Sequence, residues 1–138
     1  QYESKILKQD HDIVFIDTPP KIESDARPAI EAANLVIIPV APSPVDFWAT
    51  EGIIEIAKKA KRKILIQINR ANYRSKLISK THEYIKSIKV AAIDTLIGHR
   101  QIYVASMGEG KTVVEKQRKS KAVDEIKKIS EQILLELK

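Results

Sequence analysis

The sequence predicts an α/β domain, a parallel sheet with helices on both faces, and three observations carry that expectation. Ile13 to Ile16, Leu35 to Ile38 and Ile64 to Ile68 are short runs rich in Ile and Val. None alternates as a strand wetted on one face does, so all three read as parallel strands buried on both faces. Helical patterns lie between them, and strand and helix then alternate to the end of the chain. A length of 138 residues suits a single domain around one core, expected over 1–138.

Taken in order, the run at Ile13 to Ile16 closes on Asp17, Thr18 and two prolines through which no strand continues. Ser24 to Ala33 follows as a helix with Pro28 in its first turn. After the second strand, Ser43 is placed to cap a longer helix, with Pro44 at its first position and Asp46 as the acidic partner of a capping box. Phe47, Ile54 and Ala57, with Ile53 and Ala60 beside them, give that helix a core-facing stripe. Beyond the third strand, Leu77, Ile78, Tyr84, Ile85 and Ile88 keep helical spacing, and Ala91 to Ile97 offers a fourth, weaker strand. A short helix is expected from Arg100 to Met107, stopping at Gly108 or Gly110, and Thr112 to Val114 reads as extended. Val123, Ile126, Ile129, Ile133, Leu134 and Leu137 then line one side of a charged C-terminal helix.

Composition narrows the chemistry. The absence of cysteine excludes disulfide staples, thiolate metal sites and Cys nucleophiles, and fits a reducing compartment, so the cytoplasm is the expected location. No apolar run approaches the length of a membrane span, and no leader is expected before the first strand. The 24 Lys and Arg against 18 Asp and Glu leave a net charge of +6, with a sequence pI near 9.5. Such a balance favours polyanionic partners where the excess is clustered, as it is at Lys58 to Lys63 and at Lys111 to Lys121. The alternative for either cluster is a solvated helix end, where cations complement the helix dipole.

In open parallel sheets, ligands sit beyond the carboxyl ends of the strands. Asp17 and Asn69 are both expected there. A carboxylate ending such a strand suits Mg²⁺ beside the phosphates of a nucleotide, and an asparagine amide, with one donor group and one acceptor, suits the edge of a purine. Each residue could equally cap a helix or open a turn. The stretch "ASMGEGKT", residues 105 to 112, is not a phosphate-binding loop. Ala105 stands where the first glycine of that motif belongs, and what precedes it reads as a helix instead of a strand.

"DIVFIDTPP", "ANLVIIPVAPSPVDFWAT", "INRAN" and "RQIYVASMGEGKTVVE" resemble, in order, the landmarks of the ParA-type partition ATPases, the deviant Walker-A family that segregates plasmids and chromosomes. The likeness covers nearly the whole chain and points to the shorter members, which have no added N-terminal DNA-binding domain. It implies a P-loop NTPase-like sheet in which Asp17 is the Walker-B/switch II aspartate serving Mg²⁺, through a water, and Asn69 recognises adenine. It also implies ATP with Mg²⁺ as cofactors, an ATP-dependent dimer with possible higher polymers, and DNA binding without sequence preference. A centromere-binding partner protein and a nucleoid-associated place in the cytoplasm complete the implied picture. By the same resemblance Arg74 and Arg100 fall near DNA-contact positions, with Lys76 and the run Lys116, Arg118, Lys119 and Lys121 as supporting charge.

The family's lysine-rich Walker-A loop, first strand and switch I aspartate belong upstream of "DIVFIDTPP". The chain is therefore expected to be the C-terminal two-thirds of a family member, inactive by itself, whose parent is an ATP hydrolase. Two other readings stand beside this one: a non-catalytic DNA-binding or oligomerisation module that has lost its P-loop, and a septum-positioning ATPase related to MinD. Against the last, polar residues are interleaved to the end of the C-terminal helix, so no membrane partner is expected. A phospho-accepting signalling module is disfavoured by the prolines after Asp17 and the absence of a nearby acidic pair.

Overall fold

The computed structural model describes residues 10–18 and 26–138. Its centre is a parallel sheet of three strands in the order β1-β2-β3, formed by β1 (Leu35–Val40), β2 (Lys63–Ile68) and β3 (Ala91–Ala92). Helices α1 (Ala26–Ala32), α2 (Pro44–Lys59) and α3 (Leu77–Ser87) precede or connect the strands. After β3 come α4 (Gln101–Gly108), α5 (Val113–Lys116) and α6 (Lys121–Glu136). The expected α/β class with helices on both faces is what the chain adopts.

Burial explains the layering. From Ile64 to Ile68 every residue of β2 is buried. Ile64, Ile66 and Ile68 join Ile38 and Val40 against Ile30 of α1, Phe47 and Ile54 of α2 and Ile85 of α3. The opposite face carries Leu65, which packs with Ile93 against Ile129 and Ile133 of α6. Successive residues of β2 thus point into two different cores, which is why its sequence runs apolar without alternation. A third cluster, Val113, Ala122 and Val123 with Ile102 and Tyr103, joins α4, α5 and α6.

The β1 and β2 strands pair in register from Leu35 opposite Lys63 to Val40 opposite Ile68. The fourth expected strand, Ala91 to Ile97, forms only in part. Leu65 and Ile66 pair with Ala91 and Ala92, after which the chain leaves the ladder and returns at Gly98, which bridges Ala71. The detour is stitched by a buried side chain: Nε2 of Gln67 donates to the carbonyls of Thr95 (2.9 Å) and Ile68 (3.0 Å).

Three local expectations are corrected. Ile13 to Ile16 do not form a strand, and Ile13, Phe15 and Ile16 are 41%, 80% and 44% exposed. Among the described residues the sheet places β2 beside β1 and nothing on its other edge, and an apolar run becomes a strand only where another strand takes its backbone groups. Ser43 has extended backbone at the start of α2, but its side chain caps nothing, so the Ser43–Asp46 box does not form and Pro44 alone marks the start. Residues 112–114 are not extended, because Thr112 opens α5 with a capping box. Its Oγ1 accepts from the Glu115 N–H (3.3 Å), while Glu115 Oε2 accepts from the Thr112 N–H (2.7 Å). Those backbone and side-chain bonds from Thr112 hold the Glu115 carboxyl below its ordinary pKa. Thr112→Ala is expected to lower stability by about 1 kcal/mol, read as a lower urea midpoint at unchanged slope. Of the expected first helix, Ala26–Ala32 is seen, and Ser24 lies outside the described residues.

Candidate functional site

The carboxyl ends of the strands gather three turns. Val40 leads into Pro42 and Ser43, Ile68 into Asn69 and Arg70, and the last segment into Gly98 and Arg100. Asn69 continues the pairing of β2, its N–H donating to the Val40 carbonyl at 2.7 Å. Its side-chain oxygen accepts from the N–H of Arg70 at 2.8 Å, and Arg70 takes a left-handed φ of 52°. Asn69 therefore opens a turn, as its type favours. It also stands half-buried at the strand end with its amide oriented, and a carbonyl oxygen retains a second lone pair for another donor.

Asp17 is exposed, and because residues 13–18 have no regular structure it does not sit at a strand end. Among the described residues no hydrogen bond or ion pair joins it to Asn69. No cluster of three or more His, Cys, Asp or Glu that could hold a metal occurs among the described residues either. A lone carboxylate does not make a protein cage for Mg²⁺, but it is the usual protein share where phosphates supply the other ligands.

The expected cationic residues separate into two groups. Arg74, Lys76, Arg118, Lys119 and Lys121 are exposed. Lys116 is engaged, its ammonium donating to Glu109 Oε1 (2.5 Å) and to the Ala105 carbonyl (3.2 Å). Arg100 is paired too. Its Nη2 meets Glu125 Oε1 at 2.5 Å, its Nε lies 3.2 and 3.3 Å from the two Glu125 oxygens, and its guanidinium stands 5.8 Å from the Tyr73 ring centroid. It is thus an internally paired cation whose side chain keeps 29% of its surface exposed.

Glu125, unnoticed in the sequence, is the best-connected side chain of this edge. It is 7% exposed, and besides Arg100 it accepts from the hydroxyls of Tyr73 (2.9 Å) and Tyr103 (3.1 Å) and from the N–H of Gly98 (3.2 Å). Burial alone would raise its pKa, but the bonds from Arg100, Tyr73, Gly98 and Tyr103 outweigh that and hold the carboxyl below its ordinary value. Arg100 is correspondingly raised by its bond to Glu125, and burial followed by the same carboxylate raises Tyr73 and Tyr103. A Cβ at Gly98 would stand 3.0 Å from the Tyr73 ring and 3.1 Å from the Arg100 guanidinium, so a larger residue there would have to push both side chains aside. One signal was legible: Ala122, Glu125 and Ile129 fall at helical spacing, so the sequence places an acid on an otherwise apolar stripe.

Comparisons with known proteins agree with this architecture. Residues 3–73 match the family described as an AAA domain. Among curated proteins, the chain is 28% identical to the maintenance of carboxysome distribution protein A of Halothiobacillus neapolitanus, over 94% of this chain and 63% of that protein. Among solved structures, the cell division ATPase MinD of Pyrococcus furiosus superposes with a TM-score of 0.79 at 23% identity, over 94% of this chain and 54% of that one. The second likeness is one of fold. The chain thus spans less than two-thirds of the length of either relative.

Proposed function

The chain belongs to the AAA domain family, and from that premise we propose that it is a single-domain part of a ParA/MinD-type ATPase, one that positions a cargo by ATP-dependent dimerisation on non-specific DNA. The observation that carries the reading is Asn69, an oriented, half-buried amide at the carboxyl edge of a parallel sheet. Its amide group donates to, and its oxygen accepts from, the edge of adenine. Asp17 supplies the one carboxylate that a phosphate-borne Mg²⁺ needs from this part of the chain. ATP, when bound, supplies the phosphoanhydride that is cleaved.

The DNA contacts fall to Arg74, Lys76, Arg118, Lys119 and Lys121, all exposed. Arg100 and Lys116, ion-paired with Glu125 and Glu109, are further candidates for the same contacts. Phosphate contacts of this kind carry no sequence information and weaken steeply with salt. The cargo is either a centromere-bound partner protein, as in plasmid or chromosome partition, or a protein assembly of the kind named in the carboxysome-distribution relative. The location that follows is the nucleoid in the cytoplasm.

In the complete protein, Asn69→Ala is expected to weaken ATP binding about tenfold, and Asp17→Asn to lower the hydrolysis rate about a hundredfold. Titration with a fluorescent ATP analogue and a phosphate-release assay read the two effects. Hydrolysis unchanged in Asp17→Asn would sink the assignment. One observation favours a second reading, a membrane-surface ATPase: Leu134, Leu135 and Leu137 at the end of α6 are 45%, 67% and 40% exposed. No described helix is long and apolar enough to cross a membrane, but amphipathic helices bind without crossing. Co-flotation with acidic liposomes in place of DNA binding would favour it.

A further inference from the structure

Between the start of α2 and the start of α3 lies a groove of about 110 Å³, with room for one apolar side chain. Phe47, Trp48, Leu77 and Tyr84 supply its walls, the rings of Phe47 and Tyr84 standing 4.8 Å apart at 54°. Trp48 and Leu77 are 66% and 43% exposed, and Val45, in the same turn of α2 as Trp48, is 66% exposed. Apolar surface left open in one patch marks a contact site, and tryptophan is enriched where such contacts are strongest.

The polar groups around the groove lack partners among the described residues, and all of them suit an anion. Ser43 caps nothing, so its hydroxyl and the N–H groups of Val45 and Asp46 are unpaired at the positive end of α2. Thr81 is 4% exposed, yet its hydroxyl makes no hydrogen bond; the sealed atoms without partners are Arg62 Nε and Gln67 Oε1, so the Thr81 oxygen opens to the groove. Lys80, the one charged side chain in the lining, has no carboxylate within ion-pair distance. Of the acids on α2 and α3 nearby, Glu51 accepts from the Tyr84 hydroxyl at 2.9 Å, while Asp46 and Glu83 are exposed and do not line the groove.

We propose that this groove docks a partner peptide in which an apolar side chain is followed by a carboxylate, the side chain filling the groove and the carboxylate accepting from the Thr81 hydroxyl and the Lys80 ammonium. Charge selects the occupant. A basic segment would set a second cation beside Lys80 and leave the Thr81 hydroxyl with nothing to donate to, whereas an acidic one satisfies both. The inference goes beyond the function proposed above, since neither Asn69 nor Asp17 lines the groove.

The test uses the complete protein and two capped synthetic peptides, one alternating Phe with Asp and the other carrying Lys in place of Asp. Trp48, the one tryptophan of the 138 residues, is the reporter. The acidic peptide is expected to move its emission to the blue and to saturate, a change lost in Trp48→Phe, while the basic peptide leaves the emission unmoved. Lys80→Glu and Thr81→Val should each weaken the acidic peptide about tenfold, read by the anisotropy of a labelled copy. Thr81→Val also separates docking from a structural role. Removing an unpaired buried hydroxyl leaves the urea midpoint equal or higher, whereas a hydroxyl that held the fold would lower it, and a lowered midpoint overturns the proposal. Failure of the acidic peptide to bind, equal binding of both peptides, or wild-type affinity in both variants overturns it too. So does a Trp48 emission that moves with protein concentration alone, which would make a second copy of the chain the occupant.

Discussion

Glu125→Ala is expected to cost about 3 kcal/mol of folding stability, measured as a lower urea midpoint at neutral pH. The substitution removes the acceptor for the Arg100 guanidinium, the hydroxyls of Tyr73 and Tyr103 and the N–H of Gly98 together. Gly98 is buried and cannot turn to water, whereas Arg100 and Tyr73 can in part, which keeps the cost below a sum over all the bonds. The same site predicts a pH dependence. Since the folded carboxyl titrates below its ordinary value, near 4.5 in the absence of partners, the protein gains stability from it above that value and loses the gain as pH falls through the lower, folded one. Glu125→Gln removes that gain, so wild type and variant should differ most near neutrality and converge in acid. A constant difference down to pH 3 would contradict it.

Ile66→Ala is expected to cost as much or more, about 3–4 kcal/mol, within the range found for emptying a filled core site. Ile66 is 0% exposed at the middle of β2, paired on both sides, and packs among residues of β1, α2 and α3. Its neighbours are fixed by a ladder on either edge, so the cavity cannot close by sliding the strand. A midpoint within experimental error of wild type would mean that β2 is not the centre of the fold. The comparison substitution Ile56→Ala, on the half-buried side of α2, should cost clearly less.

The strands were legible where two cores meet on one strand. β2 reads as Ile and Leu without a break because both of its faces are covered, and the covered faces are visible in composition. The same reasoning failed at Ile13 to Ile16, since composition records what a strand would bury but not whether another strand lies beside it. The α5 helix was missed although its Thr112-x-x-Glu115 signature is plain in the sequence. The glycines before it drew attention to a loop, and its four residues leave no room for periodicity. At the carboxyl edge, the place of Asn69 at the end of β2 was readable from its own strand. The Glu125 network was not, because its members lie 22 to 52 residues away along the chain and only the fold brings them together.

That separation gives the two halves of the molecule different places in time. The β1–α2–β2 unit closes over a short length of chain, with one helix carrying the strand back to its neighbour, and such local closure is the inexpensive part of a folding reaction. The Tyr73 bond of the Glu125 network spans 52 residues of chain, further than the pairing of β1 with β2, and is expected to close after it. Its loss should consequently appear almost wholly as faster unfolding, with the refolding arm of the chevron unmoved, whereas Ile66→Ala should slow refolding as well.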